Sequence, residues 1–267
     1  MSWRMVDEGW GRRAADFAAL MEPSAVREYV SVHQRLGVSA GTRLLDMACG
    51  AGLAIELARV AGADCAGIDA SARLVEVARL RNPDTDIRVG DMAESGFSAD
   101  SFDAVTSFRG IWGTTPEAIG EVHRVLRPGG QVALTFWGDM AASPGGRLLA
   151  PFRLATEAQV AHQSDMVGLK REGAASKFLS DAGLEPGELF GVPFVLEFAD
   201  AEHYARGLAA TGPAYEAIQT AGEDAFHAAC LAAVQPFLLD GLPIRGEISL
   251  FGIIGRKPGP RGNSNRP

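Results

Sequence analysis

LLDMACGAG, residues 44–52, decides the fold. Two leucines lead into Asp46, and Gly50 and Gly52 punctuate a bend of small residues before helical spacing resumes. A strand that ends on an acid, turns on glycine and opens a helix is the first half of a βαβ unit. Glycine at such a turn lets a ligand approach the backbone closely. Outward from this stretch, CAGID (65–69), IRVG (87–90), FDAVTSF (102–108) and QVALTFW (131–137) read as further strands, each separated from the next by helical signals. That alternation predicts an α/β fold, doubly wound around a mostly parallel sheet.

The helices announce themselves locally. Upstream, Val26, Tyr29, Val30, His33 and Leu36 recur at helical spacing over 24–36, and Gly37 stands where a left-handed C-cap would end the helix. Ser71 is the expected N-cap of the second crossover helix, and Thr115 with Pro116 are the N-cap and first residue of another. After SPGG (143–146) a helix is expected near 173–182, then a strand LFGVPFVLEF (189–198). Residues 200–240 return to helix around the turn TGP (211–213), and EISLFGIIG (247–255) reads as the last strand. The expected division is 1–40 for N-terminal lid helices, 41–140 for the core, 141–199 for a helix and the sixth strand, 200–243 for a helical cap, 244–257 for the last strand and 258–267 for a disordered tail.

With 267 residues, 47% of them hydrophobic, the chain can bury a full core. Its formal charge of −8 and its scattered basic residues argue against a nucleic-acid substrate. Cys49, Cys65 and Cys230 fit neither a disulfide framework nor a metal site, so a reducing, cytoplasmic setting and no metal are expected. No apolar leader or membrane-length run is visible, and no membrane partner is expected.

Two more acids follow in register. Asp69 closes the second strand, where a carboxylate can accept from both ribose hydroxyls; it could also serve only to favour the start of the next helix. Asp91, in GDMAESGF (90–97), can accept from an adenine amino group with the backbone at Met92 on the ring edge, or can simply form a turn.

Taken with RVLRPGGQVALTFW (124–137), this series resembles the ordered motifs of class I S-adenosylmethionine-dependent methyltransferases, in the branch that includes quinone-biosynthesis and natural-product enzymes. The resemblance spans 43–137 and implies a Rossmann-like, seven-stranded sheet of order 3-2-1-4-5-7-6, with a helical cap inserted before the last strand. It implies S-adenosylmethionine as cofactor, S-adenosylhomocysteine as product, a small-molecule substrate, and leaves room for a homodimer. Asp46, Ala48, Gly50, Gly52, Asp69, Ala70, Asp91, Met92 and Phe108 are the cofactor-binding positions it implies. Ala48 departs from the pattern, since the family usually has glycine there. A dinucleotide site would need a third glycine to let helix and strand pack closely, and the register here reads Gly50-x-Gly52-x-x-Ile55.

Methyl transfer from a sulfonium needs alignment and exclusion of water, and a base only if the acceptor is a hydroxyl. SFRGIWG (107–113) lacks the Asn/Asp-Pro-Pro-Tyr/Phe signature of amino-group methyltransferases of nucleic acids and protein glutamine. Arg109 and Trp112 at the site's mouth could hold a planar or anionic substrate, with Trp10 and Tyr215 as further contacts. His203, His162, His227 and His33, with Tyr215, are the candidate bases, none of the histidines distinguished by sequence and His33 more naturally a core or lid residue; His123 is given no role. Trp3, Trp10 and Phe17 belong to the lid. The expected activity is methylation of a small acceptor, a specialised metabolite. The alternatives are a methyltransferase-like protein that binds the cofactor but catalyses a cyclisation or other non-methylating step, and an NAD-dependent oxidoreductase.

Overall fold

The protein is described here by a computed structural model covering residues 6–111, 116–156 and 168–259. Trp3, Trp112, Thr115, His162 and residues 260–267 lie outside the described residues.

Strand β1 (Arg43–Met47) is paired on one side with β2 (Asp64–Asp69) and on the other with β4 (Phe102–Phe108), both parallel. β3 (Asp86–Val89) adds to β2, and β5 (Leu126–Trp137) adds to β4, again parallel. β6 (Glu185–Val192) lies at the far edge, and β9 (Leu250–Arg256) runs antiparallel between β5 and β6. The order is β3-β2-β1-β4-β5-β9-β6, with the last strand inserted before β6 as expected. Leu44, Leu45 and Met47 on β1 and Val105 on β4 are completely buried, since helices cover both faces of the sheet. The strand order reverses between β1 and β4, and a sheet of this kind opens a crevice at the carboxyl ends of those strands.

Helix α1 (Ala14–Asp16) belongs to a winding N-terminal segment that ends in a tight turn over Glu22–Ala25. Helix α2 (Val26–Leu36) follows, and its C-cap Gly37 has φ +67. Helices α3 (Leu53–Val60), α4 (Ala72–Arg81) and α5 (Pro116–Val125) are the crossovers, and α6 (Ala174–Asp181) precedes β6. Ser71 caps α4, accepting the N–H of Leu74 on its hydroxyl. The cap comprises α7 (Ala201–Ala209), α8 (Gly212–Ala221) and α9 (Glu223–Val234). It is continuous with the main core: Tyr204 is fully buried and its hydroxyl donates to the Leu148 carbonyl at 2.6 Å.

Three readings of the sequence are corrected. The run 189–198 is two strands, because Pro193, which has no N–H, cannot extend the β6 ladder. Beyond it, β7 (Val195–Phe198) leaves the main sheet and pairs antiparallel with β8 (Ile244–Glu247). The run 247–255 divides likewise: Ile248 donates its N–H to the Phe194 carbonyl and Ser249 to the Ser143 hydroxyl, which separates β8 from β9. The buried face of α2 is also turned. Glu28, Tyr29, Val32 and His33 face inward while Val30 is 37% exposed.

Candidate cofactor site

The crevice is built from strand ends. Asp46, next to last in β1, is 1% exposed and accepts the Thr106 hydroxyl of β4 at 2.7 Å. Burial pushes its carboxyl up to about 8, and the negative charges of Glu22, Asp69 and Glu28 add to the shift while the Thr106 bond opposes it. Asp69, at the end of β2, accepts the N–H of Gly50 on one oxygen and that of Ser71 on the other, both at 2.8 Å. Burial raises this carboxyl too, against those two bonds. Asp69 thus ties the first glycine turn to the second crossover turn, and the Ala70 N–H adds a further bond to the same carboxylate. Asp91 accepts the Ala93 N–H at 2.9 Å and caps the short turn Met92–Glu94, itself half-buried.

Ala48 and the two glycines of the bend adopt left-handed backbone, with φ 62 at Ala48, 55 at Gly50 and 82 at Gly52. Gly52 is required by packing, since a Cβ there would stand 2.8 Å from Ala78 Cβ and 2.9 Å from Ala78 Cα of α4. Gly50 faces the N-terminal segment instead. A Cβ there would lie 3.5 Å from both Glu22 Oε1 and the Phe17 ring.

The N-terminal segment is fastened across this bend by Glu22, Arg81, Asp7 and Arg73, which the sequence did not single out, together with the lid residues Trp10 and Phe17, which it did. Glu22 is 3% exposed and forms an ion pair with Arg81 of α4, while Arg81 also donates to the carbonyls of Ala51 and Ala18. Leu53, the first residue of α3, directs its N–H at Glu22 from 3.4 Å, so a carboxylate already stands at the helix N-terminus where a dinucleotide would place its pyrophosphate. Burial lifts Glu22 to about 7 in spite of Arg81. Further out, Asp7 accepts from Ser71 and from Arg73 at 2.8 Å, and Trp10 stands edge-on to Phe17 and covers Gly212 at the start of α8.

On the β4 side, Phe108 is packed against Tyr29 and His33, with ring centroids 4.6 Å and 5.7 Å away. The next residue, Arg109, has φ 59 and donates its N–H to the hydroxyl of Thr135 at 3.1 Å. Its guanidinium does not stand open to an anionic substrate. Nε donates to Glu28 Oε1 at 3.2 Å, Nη2 lies 3.0 Å from Oε2, and the rings of Trp137 and Phe194 flank it at 5.2 Å and 5.0 Å. Thr135 donates to the same Glu28 oxygen at 2.6 Å. An acid at position 28, one residue before Tyr29 and four before Val32, was the available signal, since it must share the inward arc of α2.

The remaining candidates do not converge here. His33 is 6% exposed and its Nε2 has no hydrogen-bond partner among the described residues; burial lowers it to about 4. His203 lies at the start of α7 with its ring 43% exposed and Nδ1 2.7 Å from Asp200, the residue that caps that helix. His227 pairs with Glu202 on the exposed side of the cap. Tyr215 is half-buried with Arg12 over its ring. Among the described residues, no cluster of His, Cys, Asp and Glu could hold a metal ion, and no helix is long and apolar enough to cross a membrane.

The donor set fits a particular kind of ligand. Ionised carboxylates only accept hydrogen bonds, and here Asp46 and Asp69 lack any ion-pair partner among the described residues while sitting below a tenth exposure. Such a crevice suits a ligand rich in donors and positive charge, and opposes one bearing phosphates.

Residues 45–134 match a family model described as a methyltransferase domain. Demethylmenaquinone methyltransferase of Renibacterium salmoninarum is 36% identical over 101 residues, which cover 37% of this chain and 43% of that protein. Methyltransferase GfsG of Streptomyces halstedii is 37% identical over 112 residues, 39% of this chain and 40% of that protein. The chain thus spans about half or less of the length of these curated relatives. Among solved structures, a chain from the Haloferax volcanii complex of the Trm112 methyltransferase activator with a methyltransferase is similar in fold, with a TM-score of 0.59 at 17% identity, covering 93% of this chain and 96% of that one.

Proposed function

We propose, from the premise that the chain carries a class I S-adenosylmethionine-dependent methyltransferase domain, that it moves a methyl group from S-adenosylmethionine to a small-molecule acceptor, a specialised metabolite. The observation that carries this reading is the pair of buried acids Asp46 and Asp69 at neighbouring strand ends beside the Gly50 bend, where buried carboxyl groups outnumber the guanidiniums paired with them. In this reading Asp69 holds the ribose, with Ala70 beside it, Asp91 and Met92 meet the adenine, and the backbone at Ala48, Gly50, Gly52 and Phe108 borders the methionine end.

When bound, the cofactor supplies a methyl on a sulfonium, open to in-line displacement by an acceptor lone pair. The protein's share is positioning and exclusion of water. Tyr29 and His33 brace the ring of Phe108, and Glu28 with Thr135 holds Arg109 so that the end of β4 cannot shift. Phe17, Trp10 and Glu22 close the N-terminal segment over the bend.

Because Glu28 neutralises Arg109, the acceptor is read as uncharged or cationic where it meets this wall. Trp137, Phe194 and Tyr29 favour a flat, ring-bearing molecule, and the name of the Renibacterium relative points the same way. The reading includes a cytoplasmic enzyme and a homodimer as its assembled form, which light scattering on the purified protein tests.

The experiment for the activity is calorimetric titration with S-adenosylmethionine, followed by incubation of the labelled cofactor with a metabolite library. Absence of cofactor binding sinks the reading. Binding without S-adenosylhomocysteine formation on any acceptor would favour the non-methylating alternative.

A further inference from the structure

Around the Gly50 bend the chain buries more acid than base. Glu22, Glu28, Asp46 and Asp69 are each less than a tenth exposed. Among the described residues the guanidiniums paired with them are Arg81, on Glu22, and Arg109, on Glu28. Buried charge is costly unless compensated, so an arrangement of this kind calls for a positive partner.

Glu22 is the acid placed to receive one. It comes from the N-terminal segment, its Oε1 lies 3.5 Å from the point where a Cβ on Gly50 would stand, and the N–H aimed at that oxygen, from Leu53, is a long 3.4 Å away. At that separation the bond is weak. Arg81 engages the other oxygen, Oε2. The Ala51 N–H also hydrogen-bonds the carboxylate, which leaves part of its capacity to accept, on the side of Oε1 that lies against the glycine bend.

We propose that Glu22 is a cofactor-binding residue whose carboxylate receives a cationic group of the bound cofactor at the Gly50 bend. The inference rests on the reading that S-adenosylmethionine is the ligand. That molecule carries two cations, the sulfonium and the α-ammonium, and the chemistry that recognises either is the same. The charged and titratable groups that interact with Glu22 are Arg81 from α4, Arg109 after β4, Asp46 and Cys49 from β1 and its turn, and Tyr29 of α2, whose hydroxyl also senses Glu28 and Arg109. Burial raises both Glu22 and Asp46 toward neutrality, which favours the protonated form of this acid group in the free protein. An arriving cation favours the ionised form and expels that proton.

Calorimetry with S-adenosylmethionine, S-adenosylhomocysteine and methylthioadenosine, at about pH 6 and about pH 7.5, where the α-ammonium stays largely protonated, and in two buffers of different ionisation heat, tests this. The wild-type protein should release a proton on binding S-adenosylmethionine and bind it more tightly at the higher pH, whereas methylthioadenosine, which has neither cation, should show no such dependence. Glu22→Gln should lose about tenfold in affinity for S-adenosylmethionine and none for methylthioadenosine. A matching loss for S-adenosylhomocysteine identifies the ammonium as the partner; its absence identifies the sulfonium. An unchanged affinity for S-adenosylmethionine in Glu22→Gln, or an equal loss for methylthioadenosine, overturns the proposal. Should that variant not fold, the wild-type comparison still decides, because identical pH dependence for S-adenosylmethionine and methylthioadenosine overturns it as well. If the wild-type protein binds methylthioadenosine but discriminates against both charged ligands, this role of Glu22 falls alone; if it binds none of the three, the proposed function falls with it.

Discussion

The methyl group of Ala48 fills the space that a side chain at Gly110 would need. A Cβ on Gly110 would stand 2.4 Å from Ala48 Cβ and 2.9 Å from Ser107 Oγ. Ala48 follows β1, Gly110 follows β4, and Ala48 holds a left-handed φ of 62. The two residues are therefore coupled across the crevice. Ala48→Gly should stabilise the protein by about 0.5–1 kcal/mol, the relief of a left-handed alanine less the added freedom of glycine. Gly110→Ala should destabilise it, and Ala48→Gly should rescue part of that loss. Thermal unfolding of the two single variants and the double variant measures the coupling; strict additivity would refute it.

Glu28 is fully buried, and its partners Arg109 and Thr135 lie on neighbouring strand ends. Glu28→Gln takes the carboxylate charge away from a buried guanidinium and should cost about 3–5 kcal/mol in urea unfolding. Adding Arg109→Met should recover much of this, since removing both charges is less harmful than removing one. A double variant no more stable than Glu28→Gln would contradict this account.

His33 should make the fold acid-sensitive. The folded ring titrates at about 4 against an ordinary 6.5, so the unfolded chain binds the proton more strongly. Its contribution is intact above about pH 6.5 and is lost as pH falls toward 4, by up to about 3 kcal/mol. Glu22 and Asp46, raised by burial, act in the opposite sense, favouring the fold where they are protonated and losing that advantage as pH rises. Comparing His33→Leu with wild type isolates the histidine. The variant should be the more stable at pH 5 by denaturant midpoint, and a parallel pH profile for the two proteins would rule the effect out.

Asp69→Asn replaces an acceptor that serves two backbone N–H groups with an amide that can accept on one side only. It should lower stability by about 1–3 kcal/mol as well as weaken cofactor binding. Unfolding curves without ligand and calorimetry with it separate the two effects. Loss of binding with unchanged stability would mean that these backbone bonds carry no weight.

The turn LLDMACGAG and the alternation around it anticipate a parallel, doubly wound sheet, because a right-handed βαβ repeat leaves few topologies open, while the strand order follows from the resemblance of the whole motif series to a known family. Gly37 and Ser71 could likewise be read directly, since a C-cap and an N-cap depend on their own neighbours. The divided runs 189–198 and 247–255 were misread as single strands. Apolar continuity does not show which partner strand each half will meet, and Pro193 was the one local sign of the break.

By itself, the sequence determined the parallel sheet, its glycine bend and the acids at its strand ends, all properties of residues a few positions apart. Only the tertiary structure decided that Glu22 and Glu28 are buried, that Arg109 is neutralised and that His203 lies at the surface. Burying Glu22 and Glu28 is favoured by the guanidiniums beside them, and those partners stand 59 residues from Glu22 and 81 from Glu28 along the chain.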